Sequence, residues 1–126
     1  MRNPVRLIST VATMAALTGS LALAVPGAAS AATPSASDIQ QGKALAFSRK
    51  EGNCLACHMI PGGQMAGTIA PPLIAMKARY PDRQKLFDQI WDARRTVPTT
   101  LMPPFGAHLI LDKSQINKII DFLYTH

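Results

Sequence analysis

Acidic residues are scarce in this chain: seven Asp and Glu stand against thirteen Lys and Arg among 126 residues. Arg2 and Arg6 belong to an N-terminal segment set apart below. The other eleven bases are scattered from Lys43 to Lys118 without forming a run. That pattern does not mark a nucleic-acid binder, although a mildly basic surface suits the steering of an acidic redox partner. Cysteine is scarcer still. With Cys54 and Cys57 the only thiols, and His108 and His126 the only histidines beyond His58, a zinc site runs out of ligands at metal spacing. Sustained alternation of apolar and polar residues is missing, which excludes a sheet, and so is the βαβ patterning that a thioredoxin-like cysteine pair expects. Repeats and low-complexity tracts are missing beyond residue 31.

The N-terminus reads as an export signal. Arg2 and Arg6 give a positive start, residues 7–25 form a mostly apolar stretch, and Ala29-Ser30-Ala31 is an A-x-A site, so cleavage is expected after Ala31. Thr10, Thr13, Thr18, Gly19, Ser20, Pro26 and Gly27 make the stretch a poor permanent span, so no membrane anchor is expected. The remainder, 32–126, is one small domain whose thin hydrophobic core needs added apolar bulk.

That bulk is suggested by Cys54-Leu55-Ala56-Cys57-His58. Cysteines at i and i+3 share one face of a helical turn, where both sulfurs can add to the two vinyl groups on one porphyrin edge. The histidine that follows can reach the iron as proximal ligand. The expected cofactor is therefore one covalently attached haem c.

Periodicity and turn residues place the elements around it. A short mobile leader is expected over 32–37. A first helix spans 38–50, with Ser37 as its N-cap and Gly42, Leu45 and Ala46 on one packing face. Gly42 inside a helix costs about 1 kcal/mol against Ala, which a close helix contact would explain. Pro and Gly make 59–72 a loop, a short helix follows over 73–79 and another over 82–93, and 96–106 is a second loop. The last helix spans 113–124, with Ile116, Ile119, Ile120 and Leu123 at i, i+3, i+4 and i+7. The fold class is all-α: terminal helices packed across each other, with smaller helices and loops wrapping a haem.

Candidates for the distal ligand are Met59, Met65, Met76, Met102, His108 and His126. Met59 adjoins His58 and cannot cross to the other haem face. Met65 lies in the loop leaving the proximal side, Met76 reads as core, and His126 reads as a solvated tail. Met102 lies 44 residues downstream of His58 in Leu101-Met102-Pro103-Pro104-Phe105-Gly106, where the prolines stiffen the loop and hold a thioether at low entropic cost. Met102 is the expected ligand and His108 its leading competitor. The carbonyl of Pro71 is the expected partner of the proximal imidazole's other nitrogen. The pair Arg94 and Arg95 reads as a solvated helix end sooner than as a docking patch. With His58 and Met102 on the iron and both thiols in thioethers, the chain keeps no nucleophile and no open metal position, which favours electron transfer.

Residues 52–58 (GNCLACH), 67–73 (GTIAPPL), 76–83 (MKARYPDR), 89–93 (QIWDA), 102–106 (MPPFG) and 121–124 (DFLY) occur in the order seen in SoxX, and the chain resembles this family of sulfur-oxidation cytochromes. The resemblance implies a single-domain class I cytochrome c fold around one covalent haem, with Cys54 and Cys57 as attachment residues and His58 and Met102 as axial ligands. It implies a periplasmic monohaem subunit paired with a SoxA-type c cytochrome. Such a complex, an L-cysteine S-thiosulfotransferase, couples thiosulfate to a cysteine of the SoxYZ carrier. In this family the catalytic haem belongs to the SoxA partner, and the SoxX subunit passes electrons to a soluble acceptor cytochrome. The resemblance leaves no catalytic residue to this chain. The alternative is a freestanding soluble cytochrome c.

Overall fold

The computed structural model describes residues 33–126; the expected signal segment and its cleavage point lie outside the described residues. The described chain is all-α, with α1 (Ala36–Phe47), α2 (Met76–Arg79), α3 (Arg83–Trp91) and α4 (Lys113–Leu123), and 3-10 turns at Cys54–Ala56 and Ala93–Arg95. Among the described residues there is no strand, and no helix is long and apolar enough to cross a membrane.

Helix α1 starts earlier than its sequence suggests. Ser35, not Ser37, is the N-cap: its hydroxyl accepts from the Asp38 amide at 3.0 Å and donates to the Asp38 carboxylate at 2.6 Å. Asp38 at the third helical position closes this reciprocal cap, and Ser37 is left inside the first turn. The Ser35 hydroxyl, helped by Lys118, holds the Asp38 carboxyl below its ordinary range. The helix ends at Phe47, short of residue 50, because the chain folds back there and the amides of Gly52 and Asn53 bond Leu45 O and Ser48 O.

The crossing of α1 with α4 organises the domain. A Cβ on Gly42 would sit 1.9 Å from the Lys118 carbonyl oxygen, so only glycine permits this approach. The close contact inferred for Gly42 is therefore present, and it offsets the helix propensity lost there. Around it, Ile116, Ile119, Ile120, Phe122 and Leu123 of α4 are buried, and Phe47 meets Phe122 edge to face at 5.6 Å. Asp112 and Gln115 form a reciprocal capping box that starts α4.

Helix α3 lies against α4 through buried Leu86 and Ile90 and through Arg83, which donates to Asp121 at 2.6 Å and to Asn117 O at 2.9 Å. Asp82 caps α3 instead of opening it, and the helix stops at Trp91, before residue 93. Asp92 then caps the tighter turn Ala93–Arg95. The Trp91 carbonyl, orphaned at the helix end, accepts from Gly106 N and Ala107 N at 3.1 and 3.2 Å. Helix α2 is also shorter than expected. Residues 73–75 are not helical, because the Leu73 amide bonds Met59 O instead and Ala75 turns left-handed (φ 51°) to start the helix at Met76.

Candidate functional site

The local sequence folds the C-x-x-C-H segment into a single turn. Asn53 enters it in the left-handed region (φ 45°), Cys54–Ala56 make one 3-10 turn, and the amides of Cys57 and His58 both bond the Cys54 carbonyl at 3.3 and 2.9 Å. Cys54, Cys57 and His58 are thus fixed by one short hydrogen-bonded ring. Both thiols are unpaired. Burial pushes the Cys54 thiol up to about 11, so it is protonated and apolar, unlike the low-pKa thiolate of a thiol–disulfide enzyme.

The proximal histidine is held from behind. Residues 70–73 run beside residues 57–59, with Ala70 N on Cys57 O at 3.0 Å and Leu73 N on Met59 O at 2.8 Å. Between these two clamps, His58 Nδ1 lies 2.7 Å from the Pro71 carbonyl oxygen. A carbonyl only accepts, so Nδ1 must carry a proton, and in the neutral ring Nε2 keeps a free lone pair. That tautomer fits an iron ligand, and the bonded carbonyl fixes the orientation of the ring.

The other candidate ligands are widely separated in character. Met76 is 1 % exposed and belongs to the core, while Met65 is 87 % exposed at φ 51°. Met59 stays next to His58 and is exposed. Met102 is half-buried and packs against the core cluster, with its amide on the Thr100 hydroxyl at 3.1 Å. His108 is exposed, its amide on Pro104 O. His126 departs from its reading as a solvated tail. Its ring stands edge-on to Phe122 at 5.0 Å, its Nε2 is buried, and its carbonyl accepts from Met76 N at 3.1 Å. The aromatic face of Phe122 and the free amide at the start of α2 draw it in. Arg94 and Arg95 are exposed, and Arg94 forks onto Asp92 at 2.7 and 2.8 Å, so its charge is answered locally.

Two residues at this site carry no signal in the sequence. Arg79 donates to the Pro72 carbonyl at 2.7 Å, and Thr100 to Met102 is a side chain-to-backbone contact across two positions. A lone Arg in a short helix and a Thr in a Pro-rich loop are both common, so spacing alone could not select them.

A macrocycle needs apolar cover as well as ligands. Among the described residues the large hydrophobics that stay exposed are Met59, Met65, Ile69 and Ile74 in one loop region and Val97, Leu101, Leu109 and Ile110 in the other. None lies on α1, α3 or α4. These two regions adjoin or contain the expected proximal and distal ligands, so the donor set and the exposed apolar side chains suit a haem. No cluster of three His, Cys, Asp or Glu side chains among the described residues offers an ordinary metal-ion centre instead.

An all-α domain whose terminal helices cross, and whose C-x-x-C-H turn presents a histidine anchored through Nδ1, defines a class of haem-binding electron-transfer proteins. The family model described as Cytochrome c matches residues 39–126, from within α1 to His126, and the chain belongs to the cytochrome c family. Its fold is the all-α class I cytochrome c fold, and members of the family bind haem c covalently. A comparison with curated proteins gives no match.

Proposed function

We propose that this chain is a monohaem c-type cytochrome in which Cys54 and Cys57 form the thioethers, His58 is the proximal ligand and Met102 the distal one. The observation that carries this assignment is the 2.7 Å bond from His58 Nδ1 to Pro71 O, which leaves Nε2 for the metal. The bound haem supplies a one-electron couple. The protein's own residues hold it, cover its faces and exclude water through the two loop regions. With a thioether at the sixth position the ferrous state is favoured relative to bis-histidine ligation.

We further propose that the chain works in the periplasm, after removal of residues 1–31, as the SoxX-type subunit of a SoxAX complex. The support is the ordered set of short motifs shared with that family and, once Cys54 and Cys57 are in thioethers, the lack of a free thiol in the C-x-x-C-H turn. In the reaction proposed for the complex, a carrier cysteine thiol and thiosulfate join through a new S–S bond, releasing one proton and two electrons. The sulfur chemistry falls to the SoxA-type partner and the SoxYZ carrier. This chain passes the electrons one at a time to a soluble acceptor cytochrome.

Charge supports a partner-facing role for the loop regions. No Asp or Glu occurs between Glu51 and Asp82 or between Asp92 and Asp112, whereas Lys77, Arg79 and Arg95 do, and Arg94 is paired with Asp92. Maturation in an export-competent host with c-type haem attachment, followed by pull-down and haem staining, tests both levels. Covalent haem and a second, larger haem-stained subunit are the expected result. Covalent haem on a stable lone monomer would leave the freestanding carrier, and an intact pair of thiols would remove the haem assignment itself.

A further inference from the structure

The geometry points to Arg79 as a positioning residue that sets the reduction potential of the haem by holding the segment behind His58. The proposal rests on the haem ligation proposed above. Prolines 71 and 72 have no N–H, so the segment they form is anchored only at its ends and through its carbonyls. Ala70 N bonds Cys57 O and Leu73 N bonds Met59 O. The two proline carbonyls between them take different partners: Pro71 O receives His58 Nδ1 and Pro72 O receives Arg79 Nη1, each at 2.7 Å.

Arg79 and Met59 grip the same peptide unit from opposite ends. The carbonyl of Pro72 accepts from Arg79, and the amide on the other side of that unit, Leu73 N–H, donates to Met59 O. A charged donor on a carbonyl polarises the peptide and strengthens the bond its N–H makes. The guanidinium therefore tightens the clamp next to His58 and keeps Pro71 O on the ring. Arg79 is itself fixed by α2, where Nη1 also lies 3.7 Å from Sδ of buried Met76.

Two routes to the potential can be told apart by sign. The bond from Nδ1–H to a carbonyl makes the imidazole a stronger donor and favours the ferric state, so loosening it raises the potential. Simply deleting a positive charge lowers the potential, because the ferric state is the more positive one. Arg79 is exposed, so solvent and salt weaken its long-range field at the iron more than they weaken a contact at 2.7 Å.

The test compares the wild-type, Arg79→Leu and Arg79→Lys holoproteins by potentiometry and by NMR of the His58 ring N–H. Arg79→Leu is expected to raise the midpoint potential and to speed exchange of that proton by up to about tenfold, the limit if the whole of Arg79's net hydrogen bond is transmitted to the clamp. Arg79→Lys keeps the charge but gives up the planar fork, and the same changes are expected at smaller size. A fall in potential would overturn the proposal in favour of a charge effect. Unchanged potential and exchange in the variants that mature would overturn it as well; should Arg79→Leu fail to mature, Arg79→Lys alone decides. A wild-type protein without thioether haem or histidine ligation would defeat the ligation itself, and this is seen before any variant is compared.

Discussion

The helices and the loops of this domain treat their apolar residues in opposite ways. On α4, Ile116, Ile119, Ile120, Phe122 and Leu123 are all buried, and on α3 so are Leu86 and Ile90. In the loop regions, Ile60 and Phe105 go inside, while Met65, Ile69, Leu101 and Leu109 stand between 72 % and 87 % exposed. Backbone strain follows the same division. Among the described residues, the non-glycine positions with positive φ, Asn53, Met65, Ala75 and Leu109, all lie outside the helices. One region is a finished core of side chains packed on side chains. The other is shaped to pack on something with a large apolar face, and strain of this kind gathers where a ligand or partner is met. Stability and function are thus divided between the two regions, with the C-x-x-C-H turn at their border.

The comparison can be broken most severely at that border. Cys57→Ser is expected to leave at most one thioether; normal double attachment by mass spectrometry after denaturation is incompatible with the ligand set proposed. Next in size is the helix crossing. Gly42→Val forces side-chain atoms into the Lys118 carbonyl and is expected to cost about 3 kcal/mol in denaturant unfolding. An unchanged midpoint would mean that α1 and α4 need not approach so closely. Met102→Ala addresses the loops. It is expected to open the iron to small ligands and to shift the potential while costing less stability than Gly42→Val, and retention of methionine ligation in the spectrum would refute the assignment. Asp112→Ala removes the capping box of α4 and is expected to cost about 1 kcal/mol. The smallest change has the opposite sign. Leu109 sits at φ 58° and 87 % exposed, so Leu109→Asn is expected to gain up to about 1 kcal/mol in the isolated protein. A loss there would show that Leu109 already packs, on its own chain or on the haem.

Legibility in the sequence followed the same border. The spacing of Ile116, Ile119, Ile120 and Leu123 is enough to place α4, because burial on one helical face imposes that period. Gly42 signalled a close crossing because its cost demanded a reason. Cys54, Cys57 and His58 fall within five consecutive residues, so the signature can be read directly. What escaped depends on partners distant in sequence. Residues 73–75 look helical until the Leu73 amide finds Met59 O. Two serines compete to cap α1, and only the reciprocal bond of Asp38 decides for Ser35. His126 reads as a solvated tail, yet Phe122 and Met76 N hold it against the fold. Arg79 meets Pro72 only after the chain has turned between them.

The approach of α1 to α4 has a consequence for the order of events in assembly. Gln41 and Lys118 bond across a separation of 77 residues. Closing a loop of that length costs on the order of 4 kcal/mol in chain entropy before any contact rewards it. The five-residue ring from Cys54 to His58 pays almost none of that and can form early. The ring that presents both sulfurs can therefore form while the last helix is still undocked.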